Sequence, residues 1–165
     1  MAAFAKYDGV DGESTDASHD NWIDVLSLDW GVHKPGTGSS GQSRRRGSAI
    51  IEDLVIAIEY EKASPKILEK CLRGEILPKL EVEFTANLGG DRVTYLRYVM
   101  KNVAITSYDI NASGNEDDGL PVVLISNSFE EITVTYTEFA NDGTTVGNVE
   151  TSHEVEREAP KKKKK

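Results

Sequence analysis

Three histidines and one cysteine are the residues best suited to metal or nucleophilic chemistry, and their spacing points away from both. His19, His33 and His153 stand far apart, and none has a second ligand at the short spacing a metal site needs. Isolated histidines of this kind read as surface or turn residues. Cys71 falls at helical spacing with Ile67, Leu68 and Leu72, where it behaves as a small hydrophobe rather than a nucleophile. Asn115-Glu116-Asp117-Asp118-Gly119 has half the acids of a calcium loop. It lacks the alternating spacing and the distal bidentate glutamate, which leaves a solvated hairpin turn. Gly36, Gly38 and Gly41 are not followed by Gly-Lys-Ser/Thr, and no serine sits in a G-x-S-x-G elbow. The expectation is therefore no catalytic residue, no cofactor and no metal. What remains is a charge cluster, Arg44-Arg45-Arg46, in a loop that also holds Lys34 and Gln42. Its natural counterpart is an acidic surface on another copy of the same chain.

The elements that would carry this loop are mostly strands. In residues 22–32, Leu26, Leu28, Trp30 and Val32 alternate with polar residues and are expected on one face. Residues 79–86 place Leu80, Val82, Phe84 and Ala86 on one face, with Lys79, Glu81, Glu83 and Thr85 on the other. Asn87-Leu88-Gly89-Gly90-Asp91 supplies a turn, and residues 92–101 read as the returning strand of a hairpin. Ile132, Val134 and Tyr136 alternate with threonines. Further strands are expected near residues 4–7, 50–60, 103–110 and 122–126. One helix is expected, with Ser64 as N-cap, Pro65 at its first position, Gly74 just past its end, and an apolar stripe of Ile67, Leu68, Cys71 and Leu72. About eight strands around one helix predict a mainly β fold, an antiparallel barrel or sandwich with a flanking helix.

The chain has 165 residues, enough for one domain, expected over residues 1–140. Residues 141–165 are polar and are expected to be a solvated, disordered tail. The tail ends in Lys161 to Lys165. Without those five lysines the chain holds 28 acids against 14 bases, which disfavours nucleic acid as a partner. No apolar run reaches the roughly 20 residues of a membrane-spanning helix, so membrane insertion is not expected. No signal-peptide pattern opens the sequence, which predicts cytoplasmic synthesis. A single cysteine leaves no internal disulfide. Residues 34–48, rich in glycine, serine and arginine, form a loop long enough to reach beyond its own domain. Opposite charge on loop and body fits head-to-tail self-association, which closes into rings or extends as filaments.

The residues then become recognisable as a set. Asp8-Gly9-Val10-Asp11-Gly12-Glu13-Ser14-Thr15-Asp16, followed by His19, Ile23-Asp24-Val25-Leu26-Ser27 and Trp30-Gly31, opens the series. It continues with the Gly/Ser-rich loop, Ile50-Ile51-Glu52-Asp53-Leu54, Lys62-Ala63-Ser64-Pro65-Lys66-Ile67-Leu68, Cys71 and Gly74. Tyr95-Leu96 and Phe129-Glu130-Glu131-Ile132-Thr133-Val134-Thr135-Tyr136 complete it. In this order they resemble the haemolysin-coregulated protein (Hcp) family, the tube proteins of the bacterial type VI secretion system, over roughly residues 4–137.

The resemblance implies a β-barrel flanked by a helix, assembled as a homohexameric ring, with rings stacked into a hollow tube. It implies a spike protein, contractile sheath proteins and small effectors carried in the lumen as partners, and export through the machine itself without a signal peptide. It also implies that residues 34–48, with Lys34, Gln42, Arg44, Arg45 and Arg46, take part in contacts between subunits and rings. The concentrated arginines and the terminal lysines depart from the family pattern. Two other readings stand beside it: a monomeric β-sandwich binding module using the same loop, and a tube subunit of a related phage-tail-like injection machine. The first is weakened by the lack of any Trp or Tyr between Val32 and Ser48.

Overall fold

Strands alternating inward and outward need their edges closed, and this chain closes most of them on itself. The computed structural model describes residues 1–34 and 49–155. Its elements are β1 (Ala2–Tyr7), β2 (Ile23–Asp29), β3 (Val32–His33), β4 (Ile50–Ile51), β5 (Leu54–Glu59), α1 (Ala63–Arg73), β6 (Ile76–Leu88), β7 (Asp91–Asn111), β8 (Val122–Ser128), β9 (Glu131–Phe139) and β10 (Thr145–Glu154). The order β7-β6-β1-β2-β5-β8 returns to β7, so six antiparallel strands form a closed barrel. Strands β9 and β10 extend the sheet beyond it from β7, and β3 and β4 pair as a separate ribbon. The expected mainly β barrel with one helix is the observed fold.

The barrel interior follows from the alternation. Ala5, Tyr7, Ile23, Leu54, Ile56, Ile58, Leu80, Val82, Met100, Val123 and Ile125 point into a continuous core. Helix α1 lies where β5 finishes and β6 begins, and it adds Ala63 and Ile67 to that core. Leu68 and Leu72, expected on the buried stripe, are exposed instead, Leu72 to 78%. The helix starts two residues early, with Lys62 at the cap position and no cap bond from its own side chain. The cap comes from outside the helix: the Glu13 carboxylate accepts the Lys62 N–H at 3.0 Å. Ser64 is buried and accepts the Glu61 N–H at 3.0 Å. Gly74 ends the helix in the left-handed region (φ 62°), as its position predicted.

Four departures from the expected strands have local causes. A bulge between Val25 and Ser27 changes the phase of β2, so Ile23 and Val25 are buried while Leu26 is turned out. A second bulge, between Phe84 and Thr85, buries Thr85, whose hydroxyl donates to the Ala2 carbonyl at 3.2 Å. Residues 92–101 and 103–110 are one strand, β7, because its outer partner changes from β9 (paired at residues 96–101) to β8 (paired at residues 104–111) without interrupting it. Asn102 marks the change with φ 52°, a conformation asparagine tolerates better than most. Finally, residues 145–154, expected in a disordered tail, form β10. Their register with β9 (Val149 opposite Tyr136, Ser152 opposite Thr133) supplies backbone pairing that composition alone does not reveal. Residues 156–165 lie outside the described residues.

The β6–β7 turn is the expected one, with Gly89 at φ 59° and Gly90 at φ 94°. Gly89 is doubly constrained, because a Cβ there would lie 2.7 Å from the Asp142 carbonyl oxygen of the β9–β10 turn. Gly89→Ala should therefore lower stability by about 2 kcal/mol, combining left-handed strain with a backbone clash. A urea midpoint unchanged from the parent protein would contradict this.

Candidate interaction surfaces

The segment between β1 and β2 lies over the polar outer face of β1, β6 and β7, and a histidine anchors it. His19 is 3% exposed, not the surface residue its isolation in sequence suggested. Its Nδ1 is 2.8 Å from Asp16 Oδ1 and its Nε2 is 2.7 Å from Glu83 Oε2. The ring stacks on Phe4 at 4.3 Å and meets the edge of Trp22. Each carboxylate has further partners. Arg92 pairs with Asp16, Arg97 lies 3.2 Å from Glu83 Oε1, and Thr94 donates to Glu83 at 3.0 Å. Arg97 also binds Glu81, which is almost fully buried. The hydrogen bond from His19 holds the Asp16 carboxyl below the usual carboxylate range, with the Ser18 N–H and Arg92 acting in the same direction against partial desolvation. The same segment is tied to the helix start through Glu13, whose N–H is accepted by Glu61 at 2.9 Å. Burial pushes the Glu61 carboxyl up.

The expected interface loop leaves the barrel through the β3–β4 ribbon, with Val32 opposite Ile51 and His33 opposite Ile50. Lys34 stands exposed at its mouth, beside Val32 and Ile50, which are about half exposed. Gln42, Arg44, Arg45 and Arg46 lie outside the described residues. The ribbon follows the end of β2 and precedes β5, so it marks one end of the barrel. The strand registers place the acidic turn at the other end: Val122 pairs with Glu59, the last residue of β5, and with Asn111, the last of β7. Residues 115–118 close this turn through the Asp118 N–H to the Asn115 carbonyl (3.3 Å) and the Asn115 side chain to Asp118.

Two further surfaces escaped the sequence reading. On the barrel wall, Leu26 in the β2 bulge and Leu124, opposite Ala57 in register, are turned outward and exposed. On the extended sheet, every residue of β10 is exposed, Val146 to 61% and Val149 to 73%. The alternation of Val146, Asn148, Val149 and Thr151 is too weak a signal to have flagged it. Among the described residues, no three His, Cys, Asp or Glu side chains converge as metal ligands.

The fold that carries these features is a closed antiparallel barrel with one helix, a ribbon at one end and exposed apolar side chains on its wall and extended sheet. The family described as "Type VI secretion system effector, Hcp" matches residues 4–138. The chain belongs to the Hcp family of type VI secretion proteins. It is 29% identical over 140 residues to Protein hcp1 of Pseudomonas aeruginosa, covering 85% of each chain. Among solved structures it is similar to a type six secretion system protein (32% identity, TM-score 0.81, covering 90% of this chain and 91% of the other). It is also similar to a type VI secretion system effector from Yersinia pestis (27% identity, TM-score 0.73, covering 93% and 99%). In this Hcp protein the His19 anchor and the ribbon fall inside the matched span, whereas β10 begins after it.

Proposed function

We propose that this Hcp protein is the subunit of the type VI inner tube: six copies form a ring, and rings stack into a hollow conduit. The conduit is expelled with the spike by the contractile sheath and carries small effectors in its bore. In this role the protein is structural, has no enzymatic activity, is made in the cytoplasm and leaves through the machine itself. The observation that carries the reading is the family match over residues 4–138 on a closed barrel whose two ends differ, the β3–β4 ribbon at one and the Glu116-Asp117-Asp118 turn at the other. Head-to-tail contacts between such ends propagate as a stack. Light scattering on the purified protein should give six times the 18.1 kDa chain mass, and electron micrographs should show annular particles. A monomer at high concentration would instead favour a binding module.

Lys34, Gln42, Arg44, Arg45 and Arg46 are the residues we assign to contacts between neighbouring subunits or rings. Replacing all three arginines by glutamate should shift sedimentation from stacked rings toward single rings and leave the unfolding midpoint unchanged. If the contacts are exposed charge pairs, raising salt should weaken stacking of the parent protein in the same way. Stacks indifferent to both changes would exclude the arginines from the contact.

A further inference from the structure

Helix α1 buries Ala63 and Ile67 against the barrel, yet it keeps a second apolar row in water. Leu68 and Leu72, one turn apart, are exposed, and Ile76, just past the helix, continues the row. Lys62, Lys66 and Lys70 follow one another at the same spacing along the other flank of the outward surface. The lysine row is one wall of a groove, and the Gly9-Val10-Asp11 turn is the other. The acids of this groove already have partners, Asp11 in Lys6 at 2.6 Å and Glu69 in Arg73 at 2.9 Å. Lys70 is held by Glu75, and Lys66 reaches Glu69 only at 3.8 Å. Among the described residues, Lys62 has no ion-pair partner.

One segment of the chain has the complementary make-up. Residues 109–120, the end of β7 and the turn into β8, are exposed throughout. They hold Asp109, Glu116, Asp117 and Asp118, and no lysine or arginine occurs anywhere from residue 102 to residue 155. Ile110 and Leu120, each more than half exposed, stand at the two roots of this arm. Asp118 is drawn into the turn by Asn115, whereas Asp109, Glu116 and Asp117 have no ion pair among the described residues. Arm and helix start at the same end of the barrel. The Tyr60 N–H, three residues before the helix, donates to the Pro121 carbonyl at 2.8 Å, and Val122 pairs with both Glu59 and Asn111. Copies stacked end to end bring opposite ends together. Copies standing side by side bring like ends to one level, where the arm of one reaches the helix of the next. Each copy then offers one patch and receives another, so the contact repeats around a closed ring.

We infer that the outward face of α1 is a docking site for the 109–120 arm of a second copy of this chain. Leu68, Leu72 and Ile76 meet Ile110 and Leu120, and the lysine row meets the arm's carboxylates. Apolar contact provides the affinity, while the charges around it select the partner and its register. The inference rests on the ring reading and specifies one lateral contact within it. Two copies exchanging arms reciprocally would give a closed pair instead, which is the competing arrangement.

Exchanging the charges tests the pairing. Lys62→Glu with Lys66→Glu should raise the concentration at which rings assemble by about tenfold, and Glu116→Lys with Asp117→Lys should do the same. All four substitutions in one chain restore opposite charges across the contact and should return assembly to within about threefold of the parent. Urea midpoints of the dissociated subunits establish that the variants are folded. Folded variants that assemble like the parent, or a fourfold variant no better than the two double ones, overturn the contact and leave the ring standing. Cross-linking gives a second reading that needs no charge reversal. In a Cys71→Ala background, Lys66→Cys or Leu72→Cys combined with Asp117→Cys or Leu120→Cys should, on oxidation, give a ladder of covalent multimers from at least one pair. No multimer from any pair, or a ladder ending at two chains, excludes the arm of a ring neighbour as the occupant. Failure of the parent protein to form any hexamer by light scattering overturns the ring reading itself.

Discussion

His19→Ala should destabilise the isolated subunit by about 3 kcal/mol and release the segment between β1 and β2 from the sheet. The expected size follows from what the imidazole holds apart and together. Asp16 and Glu83 each direct an oxygen at one ring nitrogen, at 2.8 and 2.7 Å, from opposite sides of a nearly buried ring. A ring nitrogen that carries a proton donates to the carboxylate it faces. Alanine donates to neither, and it leaves two negative charges in a space lined by Phe4 and Trp22. Removing one member of a buried charged cluster costs about 3–5 kcal/mol, and the remaining pairs to Arg92 and Arg97 keep the loss toward the lower end. Against a domain stability of roughly 5–15 kcal/mol, that is a large fraction. His19→Gln retains a donor and should lose less. The same cluster sets the response to acid. The folded-state carboxyl of Asp16 is held below its unfolded value, so its contribution is complete above the unfolded value of about 3.9 and disappears as pH falls through the lowered one. The parent protein should therefore lose stability in acid more steeply than Asp16→Asn. Denaturation of the dissociated subunit at several pH values checks both claims, and a His19→Ala midpoint within error of the parent would contradict the first.

The contrast between His19 and the strands shows what a linear reading captures. Period-two alternation at residues 80–84 and 132–134, together with Gly89-Gly90, is a local signal. It survives into the barrel because those strands pack one face on the core. The helix was legible for the same reason, through Pro65 and Gly74. What escaped depends on partners distant in sequence. The phase change at Leu26 is a bulge set by β5, and the length of β7 reflects two successive partners on one side. Strand β10 exists through its register with β9 rather than through any apolar pattern of its own. Leu68 and Leu72 satisfy helical spacing, yet the barrel buries Ala63, Ser64 and Ile67 and, in part, Cys71. The candidate surface divides along the same line. Loop length and charge single out residues 34–48 as an expected contact, of which Lys34 lies among the described residues. The β3–β4 ribbon beside Lys34 and the exposed edge at β10 become visible only once the sheet order is known.

Asn127→Leu should cost about 3 kcal/mol, even though leucine suits a core position by volume and hydropathy. Asn127 is fully buried on β8, facing into the barrel, and its side chain is completely employed. Its Oδ1 accepts the Tyr7 hydroxyl at 2.8 Å, and its Nδ2 donates to the Leu54 carbonyl at 3.1 Å and the Ile125 carbonyl at 3.2 Å. The Tyr7 phenol is equally buried, and burial pushes its ionisation well up, the bond to Asn127 offsetting only part of this. Leucine removes the acceptor for one buried hydroxyl and the donor for the Leu54 carbonyl on β5. Each orphaned group costs about 1–3 kcal/mol, more than the gain from added apolar area. Tyr7→Phe removes the hydroxyl and should cost about 1 kcal/mol alone. In the double variant the hydroxyl no longer lacks a partner, so the combined loss should fall short of the sum by about 1–2 kcal/mol. Strict additivity would mean that the Tyr7 hydroxyl finds another acceptor, and the polar tie from β1 to β8 would lose its assigned part in holding the barrel closed. The tie is one that strand pairing does not supply, because β1 and β8 are not neighbours in the sheet and share no ladder of their own.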